Sequence, residues 1–321
     1  MKRVCVRVPA TTANLGPGFD AVGLALDLWN ETEFVQTGDD GCVMTIRGEG
    51  EGILPADERN LILASALQIF SLVGKSPPGM HIHCLNRIPL ASGLGSSSAA
   101  MLAGMLGANA LLGEPFSRQE ILTMAVENEG HPDNVVPAML GGLVASAFQD
   151  GKVVARKLVV SPLAITVVFP NFYFPTQAAR EILPAYVARE DAVFNLSRAV
   201  LVIKALETGD LALLGEVMED ALHQPYRLPL IPGAREAMRA AREAGASAVA
   251  LSGAGPSLIA FSGQPAEAQI GLAMQQAFAQ AGLAARIFSL NISQSGASVV
   301  EKSLPDERRL ERLSVEEEER G

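Results

Sequence analysis

The sequence predicts an α+β chain of about two domains, with helices packed on antiparallel or mixed sheets. Three observations carry this. Alternating and helical hydrophobic periods both occur, without a strict β-α-β rhythm. The 321 residues correspond to two domains at roughly 150 residues each. Hydrophobic residues make up 49% against 19% charged, enough for a substantial core, and with aromatics at 5% that core must be aliphatic.

The elements follow in order. Val4, Val6 and Val8 alternate with Cys5 and Arg7, which predicts a strand. The Pro, Gly and Asn of PATTANLGPGFD, residues 9–20, predict a loop. Residues 42–47 and 80–85 alternate as strands, and residues 60–73 between them show helical spacing. Residues 89–99 form a small-residue loop running into an apolar helix at about 97–112. Ser117 precedes Glu120 by three positions, a capping-box signal for a helix that ends in a polar turn, ENEGHPDN, at 127–134. Residues 141–148 and 152–160 suggest a hairpin.

A second domain is expected to begin after residue 160, with a strand at 164–169. Helices follow at about 176–183, 192–206, 211–222 and 233–243. Strands at 248–251 and 257–261 flank a glycine turn, then come a helix at 265–282 and a last strand at 284–290. The partition is therefore 1–160, 161–300 and a charged, solvated tail over 301–321.

Bulk properties exclude several classes. A formal net charge of −10 argues against nucleic acid as a partner. It leaves a nucleotide possible, because backbone N–H groups and a metal can hold phosphates. Apolar runs are short or broken by Gly and Pro, so no segment spans a membrane. The N-terminus lacks the apolar stretch of a signal peptide. Cys5, Cys42 and Cys84 are odd in number and without ligand spacing, which reads as buried thiols in a reducing, cytoplasmic setting.

The chemistry concentrates in PLASGLGSSSA. Its small residues let backbone approach an anion, and the helix start after it presents unpaired N–H groups. It is not a Walker A loop, since no Gly-Lys-Ser/Thr closes it. The bland alternative is a tight strand-to-helix turn with serine caps.

PATTANLGPGFD, PLASGLGSSSA, EGHPDN and LSGAGPS (residues 251–257) stand in this order. Together they resemble the superfamily of galactokinase, homoserine kinase, mevalonate kinase and phosphomevalonate kinase, the GHMP kinases. The similarity runs over about residues 3–295 and is closest to the homoserine kinases. It implies a two-domain fold with a ribosomal-protein-like N-terminal β/α domain, a ferredoxin-like C-terminal α+β domain and a ligand cleft between them. The implied reaction is ATP-dependent phosphorylation of L-homoserine to O-phospho-L-homoserine, on the route to threonine. ATP and Mg²⁺ are then the cofactors, and a homodimer is the candidate assembly.

The resemblance assigns residues. The nucleotide loop is Pro89, Leu90, Ala91, Ser92, Gly93, Leu94, Gly95, Ser96, Ser97, Ser98 and Ala99. Ser97 or Ser98 approaches Mg²⁺, with Glu127 or Glu129 as the carboxylate. Glu127 is favoured because it ends its helix. Arg180, with Thr176 one turn before it, and Arg227 hold the substrate carboxylate, since the guanidinium fork grips carboxylates bidentately. Asn14, Asp20, His131, Asp133 and Asn134 form the anionic and polar side. Asn134 stands where mevalonate-kinase relatives place a carboxylate, so no dedicated strong base is expected, and Asp20 or Asp133 orients the hydroxyl. His81, His83 and His223 read as ordinary strand and helix residues. The alternatives are another small-molecule kinase of the superfamily or a catalytically silent ligand sensor.

Overall fold

The computed structural model describes residues 2–263 and 266–303. It opens with β1 (Lys2–Ala13), which continues as strand through residues 9–13, where the sequence suggested loop. β1 pairs antiparallel with β2 (Val22–Gln36), a 15-residue strand with no clean alternation. The reason is burial. Val22 to Leu26 are covered on both faces, and further on the inward positions include the polar Asn30 and Thr32. Pro9 is accommodated at a register shift between Pro9 and Ala10.

β3 (Cys42–Gly48) runs parallel to β4 (Met80–Asn86), joined by α1 (Leu61–Leu72). Asn60 caps α1 by accepting the Ile62 N–H at 3.0 Å. Next come α2 (Ser96–Leu111) and α3 (Arg118–Glu129), the latter opened by the Ser117–Glu120 capping box. The expected turn at 127–134 shrinks to Gly130 and His131. α3 continues through Glu129, and α4 (Pro132–Leu140) starts at once, with Pro132 at its first position, where a missing N–H costs nothing. β5 (Leu143–Gln149) and β6 (Lys152–Leu158) form the expected hairpin, and β5 extends the sheet from β2.

β7 (Ala164–Pro170) leads into the second sheet. Then follow α5 (Thr176–Glu181), α6 (Arg189–Thr208), α7 (Leu211–Val217), α8 (Gln224–Arg227) and α9 (Ala234–Glu243). α7 stops short of residue 222 because the Asp220 carboxylate collects the N–H groups of Leu222, His223 and Gln224, pulling the chain into a turn. β8 (Ala248–Leu251), β9 (Leu258–Ser262), α10 (Glu267–Gln280) and β10 (Ala285–Leu290) complete the sheet, ordered β10-β7-β9-β8 and antiparallel throughout. Pro265, expected to open a helix, lies outside the described residues. One face of this sheet, through Ile165 and Val167, packs with Val202, Leu206 and Leu214 of α6 and α7. The other, through Val168 and Val249, packs with Met238 and Phe278 of α9 and α10. Burial on both faces explains why β7 is apolar except for Thr166.

The chain then returns to the first sheet. β11 (Ser298–Ser303) pairs antiparallel with β1. Residues 301–303, expected in the charged tail, are therefore strand, and residues 304–321 lie outside the described residues. Of the cysteines, Cys84 is buried, whereas Cys5 and Cys42 are only half-buried, and none is in a disulfide. Among the described residues no helix is long and apolar enough to cross a membrane.

α2 is the central helix of the N-terminal half, and its small residues let neighbours come close. A Cβ on Gly104 would lie 2.1 Å from the Ile62 carbonyl oxygen of α1. Backbone cannot yield there as a side-chain tip can. Gly104→Ala should therefore lower stability by about 1–3 kcal/mol, read as an earlier urea midpoint at unchanged slope. An unchanged midpoint would contradict the close approach of α1 and α2.

Candidate active site

Three turns far apart in sequence meet at one cavity of about 280 Å³. The first is residues 14–21, between β1 and β2. Asn14, Leu15 and Asp20 all take positive φ here, which coil prediction cannot resolve. The second is the loop before α2, and the third is the turn between β8 and β9. Backbone and short side chains bind them to one another. Ser252 Oγ lies 2.7 Å from the Gly93 carbonyl and 2.9 Å from Thr12 Oγ1. Asn14 Nδ2 donates to the Gly253 carbonyl at 2.8 Å, and its Oδ1 accepts the Asp20 N–H at 3.0 Å. Thr11 N–H donates to the Leu94 carbonyl at 3.1 Å.

Glycine is required at this junction. Gly93 has φ +78°, and a Cβ there would lie 2.1 Å from the Ser252 carbonyl oxygen. Gly95, the residue before α2, has φ +70° and offers no side-chain cap. The first-turn N–H groups of α2 are thus open to an anion, which the helix dipole also favours.

The serine loop divides in two. Ala91, Ser92, Gly93, Gly95, Ser96 and Ser97 line the cavity. Leu94 and Ala99 are buried in the core, so they anchor the loop. Pro89 accepts from Ser92 Oγ at 2.8 Å, while Leu90, like Pro89, stands outside the lining. Ser97 Oγ and Ser98 Oγ both donate to Glu129 Oε1, at 2.8 and 3.2 Å. The carboxylate facing the loop is therefore Glu129. Glu127, favoured from sequence, is exposed and off the cavity. Glu129 lies four residues after Ala125 and three after Val126, on the stripe of α3 that packs inward, whereas Glu127 points away from that stripe.

Opposite the loop lie two cations. Arg180, from α5, grips Asp20 bidentately at 2.7 and 3.1 Å, and both are about one-third exposed. Burial works against the charge of Arg180, but the Asp20 bond and charge outweigh it and hold its pKa above the usual value. Arg227, from α8, is 1% exposed yet lines the same cavity. Its pKa falls to about 10, first by burial and then by the nearby Arg180 charge, so it stays cationic near neutrality. Thr176 and Tyr173 complete this wall.

The polar floor comes from the start of α4. His131 Nδ1 sits 2.5 Å from Asp133 Oδ1, and both residues are buried. Burial pulls the His131 pKa down, but the Asp133 bond and charge more than reverse it. Ligand atoms of Asp20, His131 and Asp133 converge within 4.8 Å of one another. Asn134 lines the cavity while its Oδ1 accepts from Thr11 Oγ1 at 2.9 Å.

The sequence motifs did not point to Tyr173 in the lining, nor to two residues behind Arg227. His223 is fully buried and lies within 3.1 Å of Arg227 Nη1, so it is no ordinary helix residue. Phe19 stacks on it at 5.2 Å and carries both guanidinium groups on its ring, at 5.4 Å for Arg227 and 6.0 Å for Arg180. The spacing His223-x-x-x-Arg227, one helical turn, was the available signal.

Comparison with known proteins accords with this geometry. Residues 60–142 match the GHMP kinases N terminal domain, and residues 202–280 match the GHMP kinases C terminal. A homoserine kinase of Moorella thermoacetica is 48% identical over 296 residues, covering 92% of this chain and 99% of its own. One from Carboxydothermus hydrogenoformans is 42% identical, covering 92% and 96%. The crystal structure of homoserine kinase from Cytophaga hutchinsonii superposes with a TM-score of 0.83 at 33% identity, covering 93% of this chain and 97% of that one.

The junction makes a prediction. Gly93→Ala meets both a positive φ and the Ser252 carbonyl, a strain of about 1–3 kcal/mol. It should lower the thermal midpoint and weaken calorimetric binding of a non-hydrolysable ATP analogue together. Wild-type values for both would show that the two turns do not need their contact.

Proposed function

The chain belongs to the homoserine kinases of the GHMP superfamily, and from that premise we infer that its cavity transfers the γ-phosphoryl group of ATP to the hydroxyl of L-homoserine. The products are ADP and O-phospho-L-homoserine. One observation carries the assignment to this cavity: an open helix start with serine hydroxyls faces two guanidinium groups and a carboxylate cluster across a single space.

Each wall has a task. The loop from Ala91 to Ser97 and the first-turn N–H groups of α2 hold the triphosphate. Ser97, Ser98 and Glu129 offer the hard oxygen donors that suit Mg²⁺, which prefers few protein ligands beside phosphates. Mg²⁺ held by these residues would supply charge neutralisation to the transferred phosphoryl group. Arg227 and Arg180 seat the carboxylate of the amino acid, and Asp20, Asp133 and Asn14 receive its ammonium. A zwitterion matches this paired arrangement, whereas mevalonate or a sugar brings no ammonium group for the carboxylates to receive. Thiols without disulfides fit action in the reducing cytoplasm.

Chemistry then rests on positioning and charge stabilisation, with little covalent work for the protein. Asn134 cannot take a proton, and its amide oxygen is already occupied by Thr11. Asp20 or Asp133 orients the attacking hydroxyl, whose proton leaves to a phosphate oxygen or to solvent.

Coupled ADP release is the direct test. Homoserine should be turned over well above serine, threonine and mevalonate, and a preference for mevalonate would reject the assignment. Arg180→Ala should cost about 1.5–3 kcal/mol in kcat/KM for homoserine, roughly 10- to 150-fold, with ATP affinity retained. A wild-type kcat/KM would remove Arg180 from the carboxylate site. Glu129→Gln should raise the Mg²⁺ concentration needed for half-maximal turnover, while Glu127→Gln should leave it in place. The opposite ranking would return the metal to Glu127.

A further inference from the structure

The carboxylate anchor of the proposed site is itself held by a residue outside the cavity lining. Arg227 is a planar cation with five N–H donors and no acceptor. Buried 4 residues past His223, it bonds through Nε to the Ala179 carbonyl at 2.9 Å and through Nη1 to His223 Nδ1 at 3.1 Å. The second bond fixes the state of the imidazole. Arginine can only donate, so Nδ1 must carry a lone pair. The other nitrogen, Nε2, meets the Gly16 carbonyl at 2.8 Å, with the Asp220 carboxylate 3.5 Å away. Both of those can only accept, so the proton is on Nε2 and the ring is neutral. Burial, helped by the Arg227 charge and opposed by Asp220, lowers the His223 pKa in the same sense.

The surroundings leave this imidazole one orientation. Its backbone N–H is bound to Asp220 at 2.9 Å, and Phe19 covers its face with rings 19° from parallel. Arg180 stands across the same phenyl ring, and its charge repels Arg227. A guanidinium pushed by a neighbouring cation is held in plane by an acceptor, which the neutral imidazole is; a second cation in that place would drive it away.

We propose that His223 is the positioning residue that aims Arg227 at the substrate carboxylate, acting through its unprotonated Nδ1 while Nε2 ties it to the Gly16 turn. The proposal rests on the reading of Arg227 as carboxylate anchor. It separates two functions by atom: Nδ1 serves substrate binding, and Nε2 serves the joint between α8 and the 14–21 turn.

Three substitutions in the full chain read these atoms separately. Asparagine places its amide near the Nδ1 position, and glutamine places its amide near Nε2. His223→Leu should raise the KM for homoserine about tenfold or more, the scale of a lost charged hydrogen bond, with the KM for ATP within about twofold. His223→Asn should bring the homoserine KM back to within about threefold of wild type. His223→Gln should keep the thermal midpoint nearer wild type than leucine does, yet show the raised homoserine KM. Recovery of KM by glutamine and not asparagine, or no change of KM in the leucine variant, overturns the proposal. Arg227→Ala is the separate control. If it leaves the homoserine KM unchanged, the anchor reading itself fails; if it raises KM while His223→Leu does not, only the positioning role fails. Nitrogen-15 imidazole shifts of the wild-type protein need no variant to fold. They should show His223 protonated on Nε2 and bare on Nδ1 at neutral pH, and a proton on Nδ1 contradicts the proposal.

Discussion

The site depends on a contact between two backbones. Gly93, ahead of α2, lies against the carbonyl of Ser252, and the Ser252 hydroxyl reaches back to the Gly93 carbonyl. A side chain at position 93 would open this joint. Because it stays closed, the loop before α2 and the β8–β9 turn share one wall of the cavity. Asn14 fastens the 14–21 turn to the same place by bonding Gly253. The cavity is thus defined by main chain, which is stiff, and side chains only furnish it. A site whose chemistry consists of holding two substrates in line needs that stiffness.

The furnishing presents an electrostatic problem, since two guanidinium groups share a small space. The structure answers it in three ways. Asp20 neutralises Arg180 through a bidentate pair. Phe19 places an aromatic face beside both cations. His223 gives Arg227 an uncharged partner. All three come from the 14–21 turn or lean on it, so that turn, rather than the helices bearing the arginines, sets the spacing of the cations.

Much of this was legible in the sequence, and the failures have physical causes. Alternation located β3 and β4, and the Ser117–Glu120 box located α3, because each reflects a local rule. β2 was hidden because its start is buried on both faces and its later inward positions include Asn30 and Thr32, so no two-residue period survives. α4 was hidden because Pro and Asp read as turn formers, although both are favoured in the first turn of a helix. The loop motif could not tell cavity-facing Ser96 from core-facing Leu94. The choice between Glu127 and Glu129 was decidable: the stripe Ile121, Leu122, Ala125 and Val126 continues to position 129, and helix phase outweighs nearness to the helix end. The role of His223 rests on contacts with Gly16 and Phe19, about two hundred residues away in sequence, which no local pattern reports.

A crystal structure with homoserine and a non-hydrolysable ATP analogue tests the central claim most directly. The phosphates should lie against the N–H groups at the start of α2 and the amino-acid carboxylate on Arg227 and Arg180, with both ligands in the one cavity. Phosphates bound away from residues 91–97, or a homoserine carboxylate turned from both guanidinium groups, would contradict it.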